Sequence, residues 1–405
     1  MSTYNKRVWI PVLVGALGYF VDVYDLVLFS IVRIASLQSL GVPQAELMNV
    51  GVLLLNSQMF GMLVGGIAWG LLGDKRGRLS VLFGSILLYS TANIANGFVE
   101  TVNAYAVLRF IAGFGLAGEL GAAITLVSEV LPKETRGYGT AIVAGIGLSG
   151  AVAAGLTGDF LHWRTAYIVG GIMGLMLLLL RIGIFESGLY LSKKMEKARR
   201  GDLRLFFQKP ERALKLLACI GIGVPVWCLV GVIMSFAPEF AVALDIQGPV
   251  TAGWAILYCY IGVASGDLLS GCLSQYFGTR KNVVFYSLWI LLFLVAATLL
   301  SRGMSNTVFY TYAVLMGLAT GYWAVFVTMA AEQFGTNLRA TVATSVPNLV
   351  RGTVVISTTL FRWGAEHLGI VGSGAMVCVI FISLAFLSLS VLEETHGKDL
   401  DFLET

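Results

Sequence analysis

Long apolar runs separated by short polar segments extend along the whole chain. A helix that crosses the hydrocarbon layer needs about 20 mainly apolar residues, because the layer is about 30 Å thick and each residue rises about 1.5 Å. The runs reach this length and lack the two-residue alternation of a membrane β-barrel. They predict twelve spanning helices, spans 1 to 12, which begin near Val8, Asn49, Leu79, Ala104, Tyr138, Arg164, Ala213, Thr251, Asn282, Thr307, Ala340 and Ile370.

The second half of the chain repeats the first. The charged segment 70–78 after span 2 returns in degenerate form at 271–280 after span 8, with two of its glycines, Gly70 and Gly77, recurring 201 residues further on. A second pair supports this register, because Glu129 and Arg136 recur 203 residues later as Glu332 and Arg339. A duplication of this kind is typical of transporters built from two parallel repeats.

We therefore predict an all-α membrane protein with twelve transmembrane helices in two pseudo-symmetric six-helix bundles. The bundles are expected at 1–187 and 213–391, joined by a basic cytoplasmic linker at 188–212 and followed by a cytoplasmic tail at 392–405. The first apolar run is too long for the core of a signal peptide, so it is expected to remain as a helix.

Composition supports this interpretation. The 405 residues are 57% hydrophobic and 12% charged, against roughly 25% charged residues in an ordinary soluble domain. The net charge of +4 does not indicate a nucleic-acid partner, because lysines and arginines concentrate in alternate loops and in the linker. This asymmetry predicts that both termini are cytoplasmic, with the linker near anionic headgroups. The five cysteines and three histidines lack metal-ligand spacing, so no metal or other cofactor is expected.

Three charges within spans 1 and 4 are candidates for proton coupling. Asp22 and Asp25 are three residues apart and share one helix face. Asp25 is expected about 12 Å deep and Arg109 about 8 Å deep, so they can meet. Burying an ionisable group at such depth costs at least about 2.5 kcal/mol, so the group is expected to have a neutralising partner or a function. Two carboxylates beside an arginine can take up and release a proton, whereas the alternative is a static ion pair.

Glu119 is a fourth coupling candidate. It lies ten residues beyond Arg109, about 15 Å further toward the cytoplasm, in a glycine-rich helix. A protonatable or substrate-binding role is expected, and a hydrogen bond to a neighbouring helix backbone is the alternative.

Arg351 is the strongest substrate candidate. It lies near the middle of span 11, after Pro347 and Asn348, which should disturb the helical hydrogen bonds. Arginine remains charged and can hold a carboxylate by two parallel hydrogen bonds, which predicts an anionic substrate. Asp267 in span 8 is expected at comparable depth, so it either contributes to the site or neutralises Arg351 in a structural pair.

Aromatic and amide side chains on the spans expected to line the cavity complete the predicted site. For each one alone, lipid contact or helix packing is an alternative. They are Tyr19, Tyr24, Asn56, Gln58, Trp227, Tyr322, Trp323 and Asn348.

The repeated polar segment predicts a cytoplasmic gate. Asp74 can accept hydrogen bonds from the start of a facing helix, and Arg78 can pair with Glu129. In the second half Gln275 replaces the aspartate, so a weaker counterpart is expected, in which Arg280 pairs with Glu332. The full set is Asp74, Arg78, Glu129, Arg136, Arg280, Glu332 and Arg339.

The six-plus-six helices, the basic linker and the Gly-x-x-x-Asp-x-x-Gly-Arg loop resemble the major facilitator superfamily. Finer features are similar to its metabolite:proton, aromatic-acid and sugar symporters: Phe20-Val-Asp22-Val-Tyr-Asp25, Arg109-Phe-Ile-Ala-Gly113 and Glu394-Thr-His-Gly-Lys398. The resemblance implies that an acidic residue of span 1 works with the arginine of span 4 in coupling.

The predicted function is that of a proton-coupled symporter, importing a small organic anion or zwitterion such as a carboxylate by alternating access. A monomer in a bacterial inner membrane is expected, with the small-molecule substrate, protons and lipid as partners. A sugar or polyol symporter, or an exporter, is the alternative. A membrane-embedded enzyme or sensor is a remote one, because it would need a catalytic constellation or a soluble domain that we do not find.

Overall fold

The computed structural model describes residues 3–76, 78–118, 136–186 and 208–396. Regular structure within these residues is helical, apart from an isolated bridge between Gln247 and Ser305. The chain divides into two compact units, Met1–Ala198 and Arg199–Thr405. Each predicted span start lies within five residues of a described helix start or kink, so the all-α twelve-helix prediction is confirmed.

The described residues of the first unit form six α-helices that correspond to spans 1 to 6. A 3-10 turn, Gln44–Glu46, precedes the second of them. Span 4 starts at a capped end, where the Thr101 hydroxyl accepts a hydrogen bond from the N–H of Ala104. The helices are Thr3–Ser39, Leu47–Arg76, Arg78–Asn96, Val102–Leu116, Arg136–Phe160 and Trp163–Glu186.

Helices of the second unit are more often interrupted. Span 7 combines Pro210–Cys228, a π-helical turn at Leu229–Met234 and a short helix, Ala237–Ala243. Spans 8 and 9 are Ala252–Tyr276 and Arg280–Leu300.

Spans 10 to 12 contain two breaks. Span 10 consists of two pieces, Asn306–Thr320 and Trp323–Glu332. Span 11 begins as Thr336–Gly352 and continues into Val354–Val391, which also carries span 12. The turn between spans 11 and 12 is at Gly369, whose φ of 70° is in the left-handed region that favours glycine. Hydropathy alone predicted each span as one run, since a break in the backbone leaves the apolar composition unchanged.

Glycines bring neighbouring helices into backbone contact, and the contacts repeat between the units. A Cβ atom on Gly61 of span 2 would lie 2.2 Å from the carbonyl oxygen of Phe110 in span 4. A Cβ atom on Gly262 of span 8 would lie 2.0 Å from the oxygen of Val314 in span 10. Small residues at such crossings are typical of membrane helix packing. The duplication seen in the sequence therefore extends to the packing of the helices.

The outer surface suits a lipid environment. Eight of the described segments are long and apolar enough to cross a membrane, and Val102–Leu116 is a shorter apolar helix. Large apolar side chains are exposed on these helices, including Leu179, Leu268 and Phe293. Exposed apolar surface of this kind is expected where lipid tails replace water.

Candidate functional site

The first unit buries the three charges predicted for proton coupling. Asp22 and Asp25 of span 1 and Arg109 of span 4 are all fully buried. Asp25 lies within electrostatic range of both Arg109 and Asp22. The structure thus brings these charges into one region, and their role in coupling stays a prediction.

Gln58 of span 2 connects the arginine to span 1. A terminal nitrogen of Arg109 donates a hydrogen bond to the Gln58 side-chain oxygen, and the Gln58 amide donates to the backbone oxygen of Asp25 at 3.5 Å. The Arg109 guanidinium also lies over the rings of Phe29 and Tyr167, 5.3 and 5.5 Å from their centroids. These cation–π contacts help to hold a cation away from water.

The Asp25 carboxylate points toward span 6. A Cβ atom on Gly170 would lie 2.5 Å from its Oδ1, so only glycine leaves room for it there. The Asn93 side chain lies beside the Asp25 carboxylate, and within the described residues neither Nε nor Nη1 of Arg109 has a hydrogen-bond partner. Buried polar atoms are normally satisfied, and exceptions concentrate at functional sites. Both interpretations of Asp25 and Arg109, proton coupling and a static ion pair between spans 1 and 4, stay predictions.

A tyrosine pair, Tyr105 and Tyr167, extends this polar region. Their hydroxyl groups are 2.7 Å apart, and both side chains are fully buried. Sequence reasoning missed this pair, although Tyr105 lies one helical turn before Arg109 and therefore on the same face. Tyr167 carried no comparable signal, since its place beside Arg109 depends on how spans 4 and 6 pack.

Tyr24, predicted to bind substrate, is fully buried inside the first unit. Its hydroxyl donates to the backbone oxygen of Ala166 at 3.0 Å and accepts a hydrogen bond from Thr157 at 2.9 Å. Tyr19 packs against Gly147, where any Cβ atom would overlap its ring. Asn56 is half-buried on span 2. The contacts of Tyr24 and Tyr19 are those of helix packing.

The second unit places the buried cation of Arg351 beside a pair of tryptophans. The guanidinium of Arg351, which is 1% exposed, lies 5.4 Å from the centroid of the Trp227 ring. Trp227 and Trp323 meet edge to face, with centroids 6.3 Å apart. Asn348 is buried one helical turn before Arg351. The indole N–H of Trp227 is buried and has no hydrogen-bond partner within the described residues.

Asp267 binds the start of a helix. Its Oδ1 accepts a hydrogen bond from the backbone N–H of Ala324 at 2.9 Å, and the N–H of Trp323 also points to this carboxylate. Tyr322, at the same break in span 10, donates its hydroxyl hydrogen bond to the backbone oxygen of Ile222 at 2.9 Å. Sequence reasoning offered substrate contact or a pair with Arg351 for Asp267, and did not consider a helix cap.

The second copy of the gate segment forms an ion pair between Arg280 and Glu332. Arg339 is half-buried on the following helix. The pairing of Arg280 with Glu332 agrees with the expected contact, and its role in gating stays a prediction.

Residues Leu392–His396 bind the start of span 9, and we call this contact the clasp. It was not predicted. The Glu394 carboxylate accepts hydrogen bonds from the Thr279 hydroxyl at 2.6 Å and from the N–H of Lys281 at 2.9 Å. Arg280 donates to the Thr395 hydroxyl at 3.1 Å. Burial alone would raise the pKa of Glu394, but these donors lower it to about 2.

Several predicted residues cannot be placed. Glu119 and Glu129 lie outside the described residues, as do most of the basic linker and the tail beyond residue 396. The side chains of Asp74, Arg78 and Arg136 are outside the described part as well. Within the described ranges, no group of three or more His, Cys, Asp or Glu residues is arranged to hold a metal ion.

Comparison with known proteins gives a consistent result. The sequence model of the Major Facilitator Superfamily matches residues 15–342. A probable 4-methylmuconolactone transporter of Cupriavidus pinatubonensis is 26% identical over 395 residues, covering 94% of this chain and 89% of that protein. A benzoate transport protein of Acinetobacter baylyi is 24% identical, covering 82% and 78%.

Two further proteins are similar, one over about half of the chain and one in its fold. A 4-hydroxybenzoate transporter of Pseudomonas putida is 28% identical over 192 residues, covering 46% of this chain and 42% of that protein. Among solved structures, the proton:xylose symporter of the major facilitator superfamily superposes with a TM-score of 0.71 at 16% identity, covering 98% of both chains. At this identity the structural likeness shows the fold alone.

Proposed function

The chain belongs to the Major Facilitator Superfamily, and from that premise we propose that it imports a small carboxylate, of which aromatic acids are the favoured class, together with a proton. The chain is an integral membrane protein and a secondary transporter of a small molecule, and it is not an enzyme.

The observation that carries the proposal is the group formed by Arg351, Trp227 and Trp323. A buried guanidinium provides the charge that a carboxylate requires, and it prefers planar, bidentate partners. The buried indole N–H of Trp227 offers a further donor beside it. The two indole rings provide flat apolar surface against which an aromatic ring can pack.

The names of the relatives support the same substrate class. They transport benzoate, 4-hydroxybenzoate and 4-methylmuconolactone, according to their descriptions. A guanidinium binds a carboxylate by charge-assisted, bidentate hydrogen bonds that a neutral sugar cannot match, so we favour the carboxylate over the sugar alternative.

Proton coupling is assigned to Asp25, with Asp22 and Arg109 as its electrostatic neighbours. A buried carboxylate between a like charge and a cation can exist in either protonation state. Moving one proton with one monocarboxylate also transfers no net charge. We further propose a monomer in a bacterial inner membrane, with both termini cytoplasmic and no cofactor other than the coupled proton.

Uptake into proteoliposomes tests this function. Purified protein is reconstituted, a pH gradient is imposed with the outside acidic, and radiolabelled benzoate and xylose are supplied separately. We expect the initial rate of benzoate uptake to exceed that of protein-free liposomes under the same gradient, and a protonophore to abolish this excess. Accumulation of xylose but not of any carboxylate would favour the sugar alternative instead.

A further inference from the structure

We propose that Asp267 is a positioning residue, which caps the second piece of span 10 and thereby sets the place of Trp323 opposite Arg351. This inference rests on the proposed function, in which Trp227, Trp323 and Arg351 contact the substrate. It assigns to Asp267 neither substrate contact nor proton transfer.

The break in span 10 creates a need for a cap. The second piece starts at Trp323, and its first N–H groups have no partner within their own helix. The residue before it, Tyr322, makes no side-chain capping hydrogen bond. The side chains of Tyr322 and Asp267 at this break are buried, so an N–H group left there without an acceptor would destabilise the helix start.

Span 8 supplies the missing acceptor. The Asp267 carboxylate, which is 7% exposed, accepts from the N–H of Ala324 and faces the N–H of Trp323. A carboxylate at this end is also favoured by the helix dipole. The cap is therefore provided by a residue 56 positions earlier in the chain, on a different helix.

Two further contacts hold the break against span 8. The Ser270 hydroxyl, one turn beyond Asp267, donates to the backbone oxygen of Gly321 at 2.6 Å. A Cβ atom on Gly321 would lie 2.4 Å from the Cα atom of Gly266, so the two backbones touch. Span 8 thus satisfies an N–H on one side of the break and a carbonyl on the other.

This cap acts on the proposed site through Trp323. Trp323 is the first residue of the capped helix, so its side-chain direction depends on where that helix begins. Its ring packs on Phe326 at 5.0 Å and on Trp227 at 6.3 Å. Trp227 in turn lies under Arg351. Loss of the cap should shift Trp323 and change the space available beside the guanidinium.

Asparagine separates this role from the alternatives. Its side-chain oxygen can accept the same hydrogen bonds, but it carries no charge and takes up no proton. A positioning role therefore predicts that Asp267→Asn behaves nearly as the native protein, while Asp267→Ala does not. A proton-carrying or charge-neutralising role predicts that both variants fail equally.

The experiment compares the native full chain with Asp267→Asn, Asp267→Ala and Arg351→Gln. Benzoate binding is measured in detergent, and KM and the maximal uptake rate are measured in proteoliposomes. Loss of an N-cap typically weakens a helix enough to change an equilibrium about fivefold. We expect Asp267→Ala to raise Kd and KM about fivefold with a smaller change in maximal rate, and Asp267→Asn to stay within about twofold.

Each outcome decides one of the two proposals. Unchanged benzoate binding in Arg351→Gln would overturn the proposed function. Loss of binding in Arg351→Gln combined with native behaviour of Asp267→Ala would overturn the positioning role alone. Equal loss in Asp267→Asn and Asp267→Ala would also overturn it. Should Asp267→Ala fail to fold, Asp267→Asn still decides, because native KM supports the cap and lost uptake contradicts it.

Discussion

The two units place different side chains on the same helical frame. In the first, Gly113 of span 4 packs on the backbone oxygen of Gln58 in span 2. In the second, Gly317 of span 10 packs in the same way on the backbone oxygen of Cys259 in span 8. Gln58 therefore corresponds to Cys259. The first position carries a glutamine that binds Arg109, whereas the second carries a small apolar residue.

Arg109 has no charged counterpart either. Phe110 contacts Gly61 as Val314 contacts Gly262, so Arg109 corresponds to Ala313. The second unit instead buries Arg351 on span 11, beside Trp227. Backbone packing is thus shared, whereas the placement of charge is not. This difference agrees with a division of roles in the proposed function, in which the first unit carries the proton and the second binds the carboxylate.

The largest expected effect is that of Asp25→Asn, which tests the proton half of this division. Asparagine keeps the size of the side chain and removes its proton. We expect gradient-driven benzoate accumulation to fall to background, while exchange of internal for external benzoate continues. Both are measured in the same proteoliposomes. Loss of exchange as well would assign Asp25 to substrate binding or folding rather than to coupling.

Arg351→Gln tests the substrate half. Hydrogen bonds to a charged group contribute about 1.5–3 kcal/mol, so benzoate binding should weaken between about tenfold and a hundredfold. Arg362 is exposed on the continuation of the same span, and Arg362→Gln serves as the matched control with native affinity expected. Equal losses in both variants would mean that Arg351 acts through general electrostatics.

Replacing the side chains at the corresponding positions of the two units tests the comparison directly. Gln58→Leu removes the acceptor of the buried Arg109 guanidinium, and leaving a buried charged donor unsatisfied costs about 3 kcal/mol. Cys259→Ala at the corresponding position should cost about 1 kcal/mol. Thermal unfolding in detergent should therefore show the larger loss for Gln58→Leu. A larger loss for Cys259→Ala would contradict the assignment of polar stabilisation to the first unit.

The smallest effect is expected at the clasp, which belongs to the second unit. The pKa of Glu394 is lowered from 4.5 to about 2, so its contribution to stability is present above pH 4.5 and is lost as the pH falls toward 2. The difference in melting temperature between the native protein and Glu394→Gln should be small and constant from pH 8 to 5. It should shrink below pH 4.5. A difference that grows with acidity would contradict this.

Sequence patterns were sufficient for the spans, for the duplication and for the proximity of Asp25 to Arg109. Apolar length is dictated by the thickness of the bilayer, so the helix starts could be located without a structure. The glycines that recur between the halves indicated shared packing. Asp25 and Arg109 were expected to meet because depth along a helix follows from residue count.

Partners across helices were decided only by the tertiary structure. Asp267 looked like a counter-charge for Arg351, but the break in span 10 placed unsatisfied N–H groups beside it. Gln58 looked like one of several amides, but helix crossing set it between Arg109 and the backbone of Asp25. The clasp formed by Glu394 had no local signal. Periodicity gives the face and the depth of a residue, whereas the rotation and crossing of neighbouring helices determine what that face meets.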